Sequence, residues 1–208
     1  ALTMTTLIMP RFILLSFLFL FANHTTAATE KLLAPQQIID NTSQMLLAKL
    51  ADPNFASNKT EVRTFVDKNI FPNVDTVRMS ALVLGKHWRK ASKQQKKQFI
   101  AAFKNLLVNT YSSTFTEQFK DWTIQYLPLK LKANDKKTLV KTKVQQTGKP
   151  ASSIDYSMIL HNGQWKIYDI KVEGISLVIS NRTSFSQMIK EAGSLDNVIV
   201  QLQEKNKG

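Results

Sequence analysis

Ile154-Asp-Tyr-Ser-Met-Ile-Leu-His161-Asn162-Gly163-Gln-Trp165-Lys-Ile-Tyr-Asp-Ile-Lys-Val172 is the stretch that decides the fold. Ile154, Tyr156, Met158 and Leu160 alternate with Ser153, Asp155, Ser157 and Ile159, which is the period of a strand with one buried face. Trp165 and Ile167, then Ile170 and Val172, supply the apolar positions of a second strand. Between them, Asn162-Gly163 provides the positive φ angles of a type I′ turn, the tightest way to reverse a twisted antiparallel pair. Upstream, Trp122, Ile124 and Tyr126 alternate with polar residues, and so do Val140, Thr142 and Val144, with Gly148-Lys149-Pro150 as the link. Four strands with short connections predict an antiparallel meander, ended by Gly174.

On either side of this sheet the period is helical. Ile38, Ile39, Thr42, Met45, Leu46 and Leu50 space a helix from Pro35 to about Leu50, broken by Asp52-Pro53. Val62, Phe65, Val66 and Ile70 mark a second, ended at Phe71-Pro72. Asp75 caps a third that carries Met79, Leu82 and Val83 and reaches Gly85. Ser92-Lys-Gln-Gln95 is a capping-box pattern, and the long helix it opens carries Phe99, Phe103, Leu106, Leu107, Tyr111 and Phe115 on one stripe as far as about Phe119. After the sheet, a helix from about Ser176 to Glu191 carries Leu177, Val178, Phe185 and Ile189, Gly193 breaks it, and a last helix spans Leu195 to Gln203. The expected architecture is α+β, a helical half packed on one face of a four-stranded antiparallel sheet.

The 208 residues contain no cysteine, which excludes disulfide scaffolds, thiolate zinc sites and a cysteine nucleophile. Three histidines offer little for metal or acid–base chemistry, and neither a phosphate-binding glycine loop nor a Gly-x-Ser-x-Gly elbow is present. No catalytic residue and no metal ligand is assigned, and no cofactor is expected. Asp155 and Asp169 lie on neighbouring strands, where ordinary polar positions outweigh a base role. Phe12 to Ala22 is an apolar run broken only by Ser16, preceded by Arg11 and followed by small residues. It is shorter than the ~20 residues that span a bilayer. Residues 1–28 therefore read as leader residues and a cleaved secretory signal, with residues 29–208 as one domain. Export without cysteine points to a bacterial periplasm.

The formal net charge is +13, and it is local. Residues 85–150 hold fifteen Lys and Arg against three acids, while 29–84 and 151–208 are each balanced at six and six. The long helix turns its aromatics toward the core and carries no nucleic-acid motif, so nucleic acid is not the expected partner. Lys93, Lys96 and Lys97 instead suggest a face for anionic headgroups or an acidic partner.

Two blocks resemble one family. Leu82-Val-Leu-Gly-Lys-His-Trp-Arg-Lys-Ala-Ser-Lys-Gln-Gln95 with Phe99, Phe103, Leu106, Leu107, Thr110 and Tyr111 is very similar to the MlaC family. So is Asp155-Tyr156 with Gly163-x-Trp165-Lys-Ile-Tyr-Asp169-Ile-Lys-Val-Glu-Gly174-Ile-Ser-Leu177, followed by Asn181-Arg182 and Phe185. These are periplasmic phospholipid-binding proteins, also called toluene-tolerance proteins. The resemblance implies an NTF2-like or cystatin-like fold with an apolar lipid pocket, and a monomeric carrier rather than an enzyme. The carrier would shuttle phospholipid between an outer-membrane lipoprotein–porin complex and an inner-membrane ABC transporter, maintaining outer-membrane lipid asymmetry. Alternatives are an NTF2-like enzyme using Asp155 or Asp169, and a basic adaptor for acidic partners.

A carrier needs no catalytic residue. Exposing an acyl chain to water costs about 0.8 kcal/mol per CH₂, so on the order of 12 kcal/mol for a chain of about sixteen carbons. The wall must be apolar side chains that do not close on one another. Phe103, Leu107, Tyr111 and Phe115 are the candidates on the long helix. Ile154, Tyr156, Met158, Ile170 and Val172 are those on the sheet, and Leu82, Ile175, Leu177, Val178 and Phe185 those on the flanking helices. Arg182 is placed to reach a headgroup phosphate. Periodicity marks these side chains as inward and leaves open whether they line a cavity or fill a core.

Overall fold

The computed structural model describes residues 31–118 and 122–206, with the backbone alone over 112–118. The expected signal segment, residues 1–28, lies outside them. Helix α1 spans Ala34–Leu50 with Pro35 in its first turn, where the missing N–H is not needed. Helix α2 (Lys59–Phe65) runs into a π turn at Val66–Ile70 and a 3₁₀ turn at Phe71–Asn73, where Pro72 stops it. Helix α3 (Thr76–Leu84) is capped by Asp75, whose carboxylate accepts from the Arg78 N–H at 2.9 Å.

A short helix α4 (Lys86–Lys90) precedes α5 (Lys93–Gln118). The capping box forms as its sequence requires. The Gln95 N–H donates to Ser92 Oγ at 3.1 Å, and the Ser92 N–H donates to Gln95 Oε1 at 2.8 Å.

The sheet is antiparallel and ordered β1-β2-β3-β4-β5: β1 (Trp122–Tyr126), β2 (Lys137–Gln146), β3 (Ser152–His161), β4 (Gln164–Val172) and β5 (Ile175–Ser176). The strand count departs from the expected four. Glu173 and Gly174 have φ of +50° and +79°, as Asn162 and Gly163 have +49° and +76°. Both pairs reverse the chain in two residues, so Gly174 turns the chain into β5 instead of ending the sheet. Helices α6 (Leu177–Ala192) and α7 (Leu195–Lys205) close the chain, separated by Gly193 at φ +80°.

The register fixes which side chains share a face. Ile154, Tyr156 and Met158 pair with Val172, Ile170 and Ile167, and Tyr126 pairs with Thr142 on the same inner face. Helix α1 packs over β2 and β4 on this side, and α3 and α6 meet β4. Lys137, Lys141 and Lys143 on β2 pair with Ile159, Asp155 and Ser153, and those in turn with Lys166, Lys171 and the region of Glu173 on the opposite, outer face. An antiparallel sheet solvated on one side permits this lysine load, because the ammonium groups stay in water.

A candidate lipid cavity between three apolar clusters

The buried apolar side chains form three clusters rather than one. In the first, α3, α5, α6 and α7 converge on Phe99, Phe103 and Phe185. Phe185 meets Phe99 and Phe103 edge-on at 5.1 and 5.8 Å between ring centres, and Phe99 stacks on Phe103 at 5.6 Å. The second cluster joins α1 to the inner face of the sheet through Ile39, Val140, Met158, Trp165 and Ile167. The third is the α1–α2 corner, with Leu50, Phe55, Val62 and Phe65. Lys104 of α5 ties to that corner through a 2.9 Å ion pair with Asp67, its ammonium also lying 4.4 Å from the Phe71 ring centre.

At the margins of these clusters are apolar side chains that are packed against them and only partly buried. Leu106 and Leu107 fringe the first, Tyr126, Tyr156 and Ile170 the second, and Leu46, Val66 and Ile70 the third. The π turn sits among them, a local widening of the helix that places Val66 and Ile70 on this fringe. Partly buried apolar side chains at the margins of separate clusters are the kind of surface that an apolar guest would meet.

The residues expected at the wall therefore divide. Leu107, Tyr111, Ile154, Tyr156, Ile170 and Leu177 are half-buried. Phe103, Met158, Val178 and Phe185 are 2%, 0%, 6% and 1% exposed, and are packed as core. Val172, Ile175 and Leu82 are exposed. Phe115 lies on α5, and its side chain is outside the described residues. Leu46, Val66, Ile70 and Tyr126 were not among the expected wall residues. Their apolar spacing marked α1, α2 and β1 as amphipathic, and nothing in it distinguished a fringe from a core.

Two tyrosines supply the polar character of the fringe. Burial pushes the Tyr156 hydroxyl up to about 12, although part of the residue remains accessible, as suits a recessed wall. Burial, reinforced by the nearby negative charge of Asp40, raises Tyr126 further. Its hydroxyl is buried with no hydrogen bond of good geometry. Asp40 raises its pKa both by its charge and by a hydrogen-bonding contribution whose geometry is poor.

Both tyrosines are neutral in the folded protein at a pH where free tyrosine, near 10, already ionises. The unfolded chain then holds fewer protons than the folded one, so stability falls as pH rises above about 10 and continues to fall through 12. Replacing both by Phe is expected to flatten this alkaline limb, read as thermal midpoint against pH. An unchanged slope would assign the limb elsewhere.

Asp169 is an architectural residue. One carboxylate oxygen accepts from Ser176 Oγ at 2.7 Å and the other from the Val178 N–H at 3.1 Å, so both lobes hold the start of α6. Asp155 lies between Lys141 and Lys171 on the outer face. The guanidinium of Arg182 packs on Gly85, its Nε and one Nη 2.8 Å from where a Cβ would stand, so Gly85 cannot be replaced without moving Arg182. Lys93 and Lys97 are exposed, and the Lys96 ammonium rests 5.2 Å from the Trp88 ring centre. A surface groove of about 430 Å³ between the start of α5 and α7 is lined by Ser92, Gln95, Asp196 and Gln203 among others, too polar to hold an acyl chain. Among the described residues no group of His, Asp and Glu is arranged to hold a metal ion, and no helix is long and apolar enough to cross a membrane.

Known proteins resemble this chain in sequence and fold. The intermembrane phospholipid transport system binding protein MlaC of Haemophilus influenzae is 23% identical over 193 residues, 89% of this chain and 86% of its own. The toluene tolerance protein ttg2D of Pseudomonas putida is 27% identical over 170 residues, 79% of this chain and 78% of its own. The structure of a phospholipid-binding protein from Ralstonia solanacearum in complex with a phospholipid superposes with a TM-score of 0.77 at 26% identity, covering 84% of this chain and 98% of that one. The family described as MlaC protein matches residues 40–204. With that match spanning most of the sequence, the chain belongs to the MlaC family.

Proposed function

We propose that this protein is a periplasmic phospholipid carrier. It takes acyl chains into the space between the three clusters and shuttles lipid between an outer-membrane lipoprotein–porin complex and an inner-membrane ABC transporter, in support of outer-membrane lipid asymmetry. One observation carries the reading: the chain shares its fold with a relative solved around a phospholipid, and apolar side chains from α1, the π turn, α5 and the sheet stand half-buried at the margins of its core clusters. Acyl chains gain about 0.8 kcal/mol per CH₂ on leaving water, so a wall of this kind holds them without any catalytic group. The reading also accounts for Asp169, whose oxygens are both committed to α6 and not free to act as a base. Export by a cleaved signal in residues 1–28 would deliver the carrier to the compartment that separates the two membranes.

Organic extraction and native mass spectrometry of the purified protein test this directly. Close to one phospholipid per molecule is expected, surviving gel filtration. Protein that is lipid-free as purified, and that accepts none from vesicles, would refute the carrier.

A further inference from the structure

The apolar inner face of the sheet does not end at the half-buried residues Ile154, Tyr156 and Ile170. Val172 pairs with Ile154 on one side and with Ile175 on the other, so an apolar row runs from the half-buried wall out to the edge strand without a polar break. Ile179 follows in the first turn of α6. Val172, Ile175 and Ile179 are 50%, 68% and 64% exposed. Branched aliphatic side chains on a short edge strand are what soluble proteins avoid there, because they invite association.

The other face of the same sheet end is basic. Lys143 and Lys171 stand on the outer face near the ends of β2 and β4, and Lys149 is exposed in the adjoining β2–β3 turn. The acids nearby are Asp155, set between Lys141 and Lys171, and Glu173, which accepts from the Ser153 N–H at 2.5 Å. Positive charge is in excess. The β4–β5 hairpin is thus apolar on one side and cationic on the other.

We propose that the β4–β5 hairpin and the first turn of α6 form a lip that docks on an anionic phospholipid bilayer. Val172, Ile175 and Ile179 enter the headgroup–acyl boundary while Lys143, Lys149 and Lys171 meet the anionic headgroups. Charge complementarity and the exposed aliphatic trio select this occupant together. An acidic protein surface satisfies the lysines and leaves the isoleucines in water. The docked pose turns the open end of the apolar row toward the bilayer. That orientation gives the lip its use under the carrier reading, on which this use rests, whereas the contact itself is measurable without cargo.

Co-sedimentation with vesicles tests the contact, comparing mixed phosphatidylglycerol–phosphatidylcholine with pure phosphatidylcholine. Binding is expected to the mixed vesicles and to weaken with added salt. Lys143→Gln and Lys171→Gln should each lower the affinity about fivefold, and Ile175→Ser with Ile179→Ser roughly tenfold. Lys143, Ile175 and Ile179 are exposed and Lys171 is half-buried, and retained folding is checked by circular dichroism. Lipid extracted from the variants should match the parent. Binding that follows charge but ignores the isoleucines would overturn the lip in favour of an acidic protein partner. Equal binding to both vesicle types would overturn it as well. Loss of extractable lipid with vesicle binding intact would assign these residues to the cavity instead. If the parent carries no lipid, the carrier reading fails while the vesicle measurement still decides the lip.

Discussion

Phe185→Ala is expected to lower stability by about 3–5 kcal/mol, a fall in thermal midpoint of roughly 10 °C for a domain of this size, and to leave the lipid carried per folded molecule unchanged. Phe185 is 1% exposed and meets Phe99 and Phe103 edge-on. Its removal leaves a void at the junction of α3, α5, α6 and α7, where four helices cannot collapse onto one missing ring without moving one another. Aromatic edge contacts worth about 0.5–1.5 kcal/mol each are lost with the burial.

Leu107 is the control. It stands one turn beyond Phe103 on the same stripe of α5 but is half-buried, so Leu107→Ala should cost markedly less. Thermal melts with lipid quantified on the same samples decide the matter. Equal destabilisation by the two substitutions would mean that the first cluster and its fringe are one core.

That contrast shows where the sequence stops being informative. Strands β1 to β4 were legible because Ile154-Tyr156-Met158-Leu160 and its neighbours alternate and Asn162-Gly163 names its own turn. The α5 start was legible because Ser92 and Gln95 form a box that requires nothing from elsewhere in the fold. Strand β5 was not, since two residues show no period and Glu173 gives no warning that it will take a positive φ. The π turn at Val66–Ile70 was hidden for a similar reason. Five residues of a continuing helical pattern do not reveal how the hydrogen bonds are spaced.

The division of the site was least legible of all. Phe103 and Leu107 have the same period, polarity and facing. What separates them is whether another element arrives opposite, and for Phe103 that is α6 with Phe185, far along the sequence. The charge was partly legible. Counting placed it in residues 85–150, but only the register shows that Lys141 and Lys143 share an outer face with Lys166 and Lys171.

Leu107→Glu and Ile170→Glu, at the margins of the first and second clusters, are each expected to abolish bound phospholipid while the protein still folds. In the empty protein either carboxylate has access to water, since both positions are half-buried, and the folded state tolerates it. An acyl chain laid against the carboxylate removes that water. Burying an ionised group without a partner costs several kcal/mol, which corresponds to at least about a hundredfold loss of affinity.

The effect should be reversible by pH. Protonation removes the charge, and an apolar surrounding raises the pKa of the carboxyl. Uptake from vesicles by either variant should therefore recover as pH falls, whereas the parent shows no such recovery. A further consequence is a lower thermal midpoint than the substitution alone would give. Cargo bound at about a hundred times its Kd stabilises the folded state by about 2.7 kcal/mol, and the variants forgo that contribution. Adding lipid would raise the midpoint of the parent and leave that of the variants unchanged at neutral pH. If either variant holds as much lipid as the parent, that side chain does not face the cargo, and the wall has to be redrawn around the remaining fringe at Leu46, Val66 and Ile70.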